Sequence, residues 1–149
     1  MFIFGGEDIS GNSNELYTFN FLSFEWARVS VIGLQPEARS YHAFALIPAQ
    51  PQIKGSHPRL AVFGGYSESG FTKELMIFDL VTRKWERPVT TSKSSKDGEP
   101  TPRQGSTMTY ALDKLWIFGG FAQGNFYEDF HSLDLLSYSW EKLNDKIQG

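Results

Sequence analysis

The sequence contains the string Phe2-Ile3-Phe4-Gly5-Gly6 and repeats it twice with conservative apolar changes, as Ala61-Val62-Phe63-Gly64-Gly65 and as Trp116-Ile117-Phe118-Gly119-Gly120. The distance from the second glycine to a tryptophan is the same in every copy: Gly6 to Trp26, Gly65 to Trp85 and Gly120 to Trp140. The copies are roughly 55 to 59 residues apart, and self-similarity at such a period is typical of tandem structural repeats. Both distances exceed the roughly 50 residues expected of this class of repeat, and the extra residues should lie in loops.

Each copy predicts a unit of strands. The Gly-Gly string ends a short buried strand, and its glycines permit a sharp turn or a close backbone approach. A five-residue strand follows and closes at Asn20, Asp79 or Asp134, residue types that favour turns. Each tryptophan opens another strand, and residues 40–47 and 105–111 are predicted to form the remaining one. A complete unit therefore has four strands, and no window of the chain shows convincing helical periodicity.

Four-stranded units in tandem, each with one Gly-Gly pair and one tryptophan, are typical of β-propeller blades. A single blade cannot bury both of its faces. Stacked blades enclose their aromatic side chains, and each buried aromatic covers about 150–250 Å². At about 25 cal/mol per Å², this amounts to several kcal/mol for each repeat. We therefore expect the Trp and Phe residues of the repeats to form the core between blades.

The sequence resembles kelch repeats over nearly all of its length. That family's mark is Gly-Gly, then an aromatic residue, then six residues, then Trp. In this sequence the aromatic position and the tryptophan are Phe19 with Trp26, Phe78 with Trp85, and Leu133 with Trp140. A Pro and an Arg near the head of the first strand also fit, at Pro36 with Arg39 and at Pro102 with Arg103. Leu133 departs from the usual aromatic residue, and Phe19 and Phe78 replace the commoner Tyr.

The resemblance implies an all-β fold of kelch-type blades with four antiparallel strands and an incomplete ring. We expect one kelch-repeat region, residues 1–149, with a partial first blade over residues 1–35, a second over 36–99 and a third over 100–149. Closed propellers need about 4–8 blades, so these strands cannot close a ring alone. Three interpretations follow: a segment of a longer kelch protein, two copies that complete a ring, or an open stack that leaves apolar faces in water.

Composition excludes several classes of function. The net charge of −3 offers no basic field for a polyanion, so we expect no nucleic-acid partner. The chain has no cysteine, which excludes disulfide scaffolds, thiolate zinc sites and thiol nucleophiles. The absence of cysteine permits a reducing compartment, and we expect a cytoplasmic location. No stretch is long and apolar enough to span a bilayer, so we expect no membrane partner. We also expect no signal peptide at Met1–Gly6.

Sequence motifs for catalysis are also missing. His42, His57 and His131 lie on three different elements, without HExxH or carboxylates at ligand spacing, and are expected to be structural or surface residues. No Gly-x-Ser-x-Gly elbow occurs, and no helix follows Gly-Gly to bind a phosphate. We therefore expect a protein that is not an enzyme and that needs no cofactor or metal.

Two stretches interrupt the blade pattern and are predicted to be loop insertions. The first is residues 48–58. The second is residues 90–102, whose Ser, Thr and Lys residues suit a solvated connector; the alternative is a segment that accepts phosphate or folds on a partner.

In kelch propellers, the loops after Gly-Gly and around the Pro-Arg that starts each blade commonly form the partner surface. Carried onto this sequence, the resemblance implies partner-binding residues Glu7, Asp8, Ser40, Tyr41, Tyr66, Ser67, Glu68, Gln104, Phe121 and Gln123. The aromatic members Tyr41, Tyr66 and Phe121 are the expected anchors, because aromatic residues dominate interface hot spots; the alternative is that they pack locally. Arg39 and Arg103 are expected to be structural hydrogen-bond donors.

The resemblance implies a protein-protein interaction module, a scaffold or adaptor whose rim loops bind another protein. The alternative is a propeller that binds or processes a small molecule or carbohydrate. A central polar pocket with converging carboxylates would favour that alternative, and a broad rim of aromatic and charged residues favours the adaptor. Self-association, or the remaining blades of a longer chain, would provide further protein contacts.

Overall fold

The computed structural model describes residues 1–50, 54–93 and 98–143 and shows strands, turns and loops without a helix in these ranges. The first sheet contains β1 (Phe2–Asp8), β2 (Gly11–Asn20) and β3 (Glu25–Arg28), in that order. The strands run antiparallel, and Phe19 of β2 lies opposite Trp26 of β3. This is the three-stranded first unit that the repeat predicts.

The second sheet is a complete four-stranded blade. A separate small sheet contains β4 (Arg39–Ser40), which precedes the blade in the chain, and β7 (Tyr66–Ser67) and β8 (Gly70–Phe71), which lie between two of its strands. The blade contains β5 (Ala43–Ile47), β6 (Arg59–Phe63), β9 (Leu75–Asp79) and β10 (Lys84–Glu86), in the spatial order β10-β9-β6-β5. All three pairings are antiparallel. The predicted all-β fold of antiparallel blades is confirmed.

The third sheet adds a strand to the same arrangement. It contains β11 (Thr91–Ser92), β12 (Thr107–Ala111), β13 (Lys114–Ala122), β14 (Asn125–Asp134) and β15 (Ser139–Leu143), in the order β11-β15-β14-β13-β12. β11 pairs parallel with β15. Similarly, Ile32 forms a parallel bridge with Lys84 of β10. In both cases the chain first pairs with the strand at one edge of the next sheet, and then forms the strand at the opposite edge of that sheet.

The structure changes two details of the predicted strands. The single strand expected over residues 40–47 is interrupted at Tyr41, whose backbone φ is +55°, and becomes β4 and β5. Part of the insertion at residues 90–102 is strand β11 rather than loop, because its backbone pairs with β15. Residues 51–53 of the first insertion and 94–97 of the second lie outside the described residues.

Alternate residues of β6 face opposite neighbouring sheets, as the period of two in a strand requires. Leu60 and Val62 belong to the core shared with the first sheet, and Ala61 and Phe63 belong to the core shared with the third sheet. The second sheet is therefore buried on both faces. Its continuous apolar sequence follows from that position.

The predicted aromatic core lies between adjacent sheets. The ring of Phe4 lies 5.1 Å from that of Trp85, and Phe63 lies 5.6 Å from Trp140 (centroid distances). Both tryptophans are buried. Trp26 is 52% exposed and packs on Phe19 of its own sheet, at 4.8 Å. The same spacing thus produces two buried tryptophans and one exposed tryptophan, because burial requires a neighbouring sheet.

The Gly-Gly pairs allow backbone segments to approach closely. A Cβ on Gly64 would lie 2.6 Å from the Arg103 carbonyl oxygen, and one on Gly5 would lie 2.7 Å from that of Arg39. The N–H of Gly65 also donates to the Arg103 carbonyl at 2.8 Å. The first glycine of a pair therefore receives the main chain of the next unit, and this contact explains why the string contains glycine there.

We predict that Gly64→Ala destabilises the fold by about 3 kcal/mol or more, because the new methyl group must displace a backbone carbonyl. Gly105→Ala is the matched control, since Gly105 has the same φ of +66° but no atom within 4 Å of the added carbon. Its cost should be about 1 kcal/mol, from backbone strain alone. Chemical denaturation of both variants measures the difference; equal losses would contradict a role for the close approach.

His42 makes the junction between the first two units sensitive to pH. Its ring packs against Phe4 at 5.2 Å and Phe44 at 6.5 Å (centroid distances), and Nδ1 is buried without a hydrogen-bond partner among the described residues. Burial, together with the nearby Arg39 charge, lowers the pKa of His42 to about 4. The folded state therefore favours the neutral ring.

Because the folded pKa lies below the unfolded value of about 6.5, the stability from His42 is fully present above pH 6.5 and is lost as the pH falls towards 4. We predict a loss on the order of 2 kcal/mol over this interval that is absent in His42→Ser. The third unit already has Ser106 at this position. The check is the free energy of unfolding of both proteins across the pH range, and parallel curves would count against the buried neutral ring.

Candidate functional site

Three hairpins emerge from the same end of the sheets, where each Gly-Gly pair leaves its strand. At equivalent positions they carry the cross-strand pairs Glu7 with Asn12, Tyr66 with Phe71, and Phe121 with Phe126. Directly opposite side chains in an antiparallel ladder have Cβ atoms about 5 Å apart, so each pair forms one compact unit. The repeat thus places one polar and two aromatic pairs side by side along this end.

We name this set of six residues the rim row, and it is continuous across the three units. The ring centroids of Tyr66 and Phe71 are 5.2 Å apart, those of Phe71 and Phe121 are 6.3 Å apart, and those of Phe121 and Phe126 are 5.0 Å apart. The Asn12 amide lies 3.4 Å from the Tyr66 carbonyl oxygen, to which it donates. Phe126 is 83% exposed and Tyr66 is 43% exposed. The row therefore presents a substantial apolar surface to solvent.

A cleft of about 580 Å³ adjoins the third-unit end of the rim row. It brings together the predicted residues Tyr41, Gln104 and Phe121, with Phe118 and the Gly119-Gly120 backbone as part of its lining. The backbone of Gln104 holds Phe121 through a pair of hydrogen bonds of 2.8 and 2.9 Å. Tyr41 is 61% exposed. The cleft has the size of a ligand pocket, and its lining is mainly aromatic rings and backbone.

The other predicted residues divide by exposure. Glu7, Asp8, Glu68 and Gln123 are exposed in the hairpins. Ser40 and Ser67 are buried at 4% and 0% exposure, since they occupy the paired strands β4 and β7. The Ser67 hydroxyl donates to the Glu37 carboxylate at 2.9 Å, an internal contact. The side chains of the two serines therefore do not belong to the exposed surface.

Two buried arginines hold the hairpins to the sheets. Arg39 donates to the carbonyls of Glu37 at 3.0 Å and Gly64 at 3.2 Å, and forms an ion pair with Glu74. The contacts recur one unit later. Arg103 donates to the carbonyls of Thr101 at 3.0 Å and Gly119 at 3.1 Å, and forms an ion pair with Asp129. Both arginines act as internal hydrogen-bond donors, as the sequence predicts.

The Asp129 carboxylate has a second hydrogen-bond partner, the ring of His131. His131 Nε2 lies 2.9 Å from Asp129 Oδ2, and His131 Nδ1 lies 3.1 Å from the Gly98 carbonyl oxygen. Burial by itself raises the pKa of Asp129, but hydrogen bonds from Arg103 and His131 and their charges outweigh it and lower the pKa to about 2. The carboxylate is therefore ionised in the folded protein and fastens the third hairpin.

A family model described as the KLHDC2/KLHL20/DRC7 Kelch-repeats domain matches residues 1–149. The chain belongs to the kelch-repeat family. Curated relatives carry the same type of repeat: "Rab9 effector protein with kelch motifs" from Bos taurus is 35% identical over 133 residues, which cover 87% of this chain and 32% of the relative. "Kelch repeat-containing protein 2" from Saccharomyces cerevisiae is 31% identical over 131 residues, covering 79% and 14%.

"Kelch domain-containing protein 2" from Bos taurus is 23% identical over 171 residues, covering 96% of this chain and 38% of the relative. The kelch chain thus spans about a third of the length of the bovine relatives it matches. The predicted kelch resemblance is confirmed by the family match and by these relatives.

Sequence reasoning missed four residues of the kelch rim. Phe71 and Phe126 complete the aromatic pairs, Tyr127 stacks on the Arg103 guanidinium at 4.2 Å, and Glu37 accepts hydrogen bonds from Ser67 and Ser69. The hydrogen bonds from Ser69 and Ser67 lower the pKa of Glu37, and the bond from Ser69 has the larger effect. Counting from the second glycine would have found Phe71 and Phe126, which stand at equal distances from Gly65 and Gly120.

The described ranges contain no group of three or more His, Cys, Asp or Glu side chains placed to bind a metal ion. His42 is packed between aromatic rings and His131 is bonded to Asp129. His57 is partly exposed, with its Nδ1 2.8 Å from Asp79 Oδ2. Within the same ranges, the chain has no helix long and apolar enough to cross a membrane.

We predict that Asp129→Asn destabilises the domain by about 3 kcal/mol at pH 7, because it leaves the buried Arg103 cation without its carboxylate. The folded pKa of Asp129, about 2, lies below its usual 3.8, so its contribution is present above about pH 4 and is lost as the pH falls towards 2. The difference between the two proteins should shrink over that interval.

Glu15→Gln is the control for this prediction. Glu15 has the same repeat position in the first unit, but its ion pair is with Arg28, whose side chain is 65% exposed. Its removal should cost less than about 1 kcal/mol. Denaturant titrations of both variants decide the matter, and a similar cost at both positions would show that burial of the arginine is unimportant.

Proposed function

We propose that this kelch domain is a protein-protein interaction module, a scaffold or adaptor that binds another polypeptide through the rim row and the adjoining cleft. The continuous row of Tyr66, Phe71, Phe121 and Phe126 carries this proposal. Large aromatic side chains bury much area with few rotatable bonds, and they dominate binding energy at protein interfaces. An exposed aromatic surface across two units suits a protein partner better than a small solute.

The scaffold supports this function because it holds the hairpins in place before a partner binds. Arg39 and Arg103 fasten the second and third hairpins to buried carbonyls and carboxylates. Glu37 accepts hydrogen bonds from Ser67 and Ser69 and so holds the turn of the second hairpin. A loop that is already ordered loses less conformational entropy on binding, which favours affinity.

The names of the relatives indicate a first partner to test. Several are called Rab9 effector proteins with kelch motifs, and the match covers about a third of their length. On this basis, Rab9 or a similar small GTPase is the first candidate partner, and a cytoplasmic location, including the surface of endosomes, is the expected setting. We infer no enzymatic activity for the domain.

We also propose that further kelch blades cover the two end faces. Phe118 has the repeat position of Phe4 and Phe63, which pack on a tryptophan of the next sheet, yet Phe118 is 47% exposed. Trp26 at the other end is 52% exposed. A sheet with an inward-facing tryptophan fits the face that exposes Phe118, and a sheet with an inward-facing phenylalanine fits the face that exposes Trp26. Such blades are expected from a longer chain or from a second copy.

Capture experiments with the full-length chain test the interaction function. The double variant Tyr66→Ala/Phe126→Ala removes exposed rings of the rim row, and we expect it to lose the captured partner by about tenfold or more, as for a hot spot. The control is Leu22→Ala/Val81→Ala, which removes exposed apolar side chains from turns at the opposite end of the sheets. Rab9 loaded with GTP or GDP is tested directly as a purified partner.

Equal recovery of every partner by wild type and the rim variant would contradict the proposal. Turnover of a carbohydrate without any protein partner would support the alternative of a propeller that processes a small molecule. Loss of partners by both variants would indicate a general folding defect, which the thermal midpoint of each purified variant detects independently.

A further inference from the structure

The three rim hairpins are acidic as well as aromatic. Over residues 5–15, 64–74 and 119–129 the only Lys or Arg is Lys73, and it forms an ion pair with Glu99 at 2.8 Å. Glu15, Glu74 and Asp129 are neutralised by arginines. The other carboxylates of these hairpins form no ion pair within the described part of the chain. They belong to Glu7, Asp8, Glu68 and Glu128.

These free carboxylates are distributed along the rim row. Glu7 is itself a member of the row, opposite Asn12, and Asp8 follows it. Glu68 lies in the turn between β7 and β8, immediately after the Tyr66–Ser67 strand. Glu128 follows Tyr127 in the third hairpin, two residues from Phe126. Every hairpin therefore offers at least one exposed, unpaired negative charge close to its cross-strand pair.

We propose that the rim row binds an extended segment of a partner protein in which Lys or Arg residues are interleaved with apolar residues. This inference rests on the proposed function and specifies the chemistry of the partner. Carboxylates along the row attract cationic side chains, and the faces of Tyr and Phe rings add cation–π attraction at close range. The apolar residues of the segment would cover the rings of Tyr66, Phe71, Phe121 and Phe126.

The internal contacts of the rim already show one such pairing. The Arg103 guanidinium lies over the Tyr127 ring at 4.2 Å while its Nη2 bonds to Asp129 at 3.0 Å. One cation thus meets an aromatic face and a carboxylate together, the combination that the free carboxylates and exposed rings offer to a partner. Guanidinium groups suit both contacts because they are planar and present several donors.

Charge also decides between the possible occupants. A second copy docked rim to rim would place Glu7, Glu68 and Glu128 against the same carboxylates, which is unfavourable. Nucleic acid and anionic lipid surfaces are excluded from the rim for the same reason. A cationic protein segment is the occupant that complements both the charge and the apolar rings.

The test uses the full chain and a random dodecapeptide library displayed on phage as the probe. Glu7→Lys/Glu68→Lys reverses two free carboxylates that make no ion pair among the described residues, while Asp8 is kept because its carboxylate accepts from Ser10 in the turn. The control, Glu25→Lys/Glu86→Lys, makes the same change of charge on exposed residues of the outer strands β3 and β10. Tyr66→Ala/Phe126→Ala tests the rings.

We expect the recovered peptides to be rich in Lys, Arg and apolar residues, and to bind the charge-reversed rim at least about tenfold more weakly than wild type or control. Binding should also weaken with rising salt, because exposed charges are screened. Peptides that depend on Tyr66 and Phe126 but are not enriched in Lys or Arg would overturn this inference and leave the interaction function intact. Peptides unaffected by either rim variant would also overturn it, and the capture experiment then judges the interaction function separately.

Discussion

Adjacent units are held together where the main chain of one unit approaches the Gly-Gly pair of the preceding unit. The Arg103 carbonyl accepts a hydrogen bond from Gly65 at 2.8 Å, and it lies where the side chain of any residue other than glycine at position 64 would be. This contact sets the separation of adjacent sheets. It thereby determines that Phe63 reaches Trp140, and the equivalent contact at Gly5 brings Phe4 to Trp85.

Arg39 and Arg103 connect this contact between units to the rim. The backbone of Arg103 docks on the second unit, while its side chain is bonded inside the third unit to the Gly119 carbonyl and to Asp129. One residue thus positions a whole sheet and the base of a hairpin. Because the rim hairpins begin at the Gly-Gly pairs, contacts that fix the sheets also fix the rim row. Its rings are held by the core rather than by a separate loop structure.

Aromatic residues serve two purposes in this chain, in the core between sheets and on the rim hairpins. Rings inside the strands are buried where a neighbouring sheet covers them, as for Phe63 and Trp85, whereas Trp26 and Phe118 on the end faces are about half exposed. Rings just beyond the Gly-Gly pair, such as Phe121 and Phe126, lie on the rim hairpins and are partly or largely exposed. A partner that covers the rim row would gain apolar burial of the kind that holds the blades together.

Fixed spacing along the chain and the period of two within a strand were enough to predict the repeat, the antiparallel strands and an aromatic core. The role of Arg39 and Arg103 as structural hydrogen-bond donors was also expected, and their bonds to the Gly64 and Gly119 carbonyls agree with it. The burial of Ser40 and Ser67, the parallel pairing of Thr91–Ser92 with the next sheet and the exposure of Trp26 became known from the folded chain alone. These properties could not be predicted because they depend on which segment lies beside a residue in space. Equal spacing along the chain gives Trp26, Trp85 and Trp140 the same local structure, but burial requires a neighbouring sheet that covers the ring.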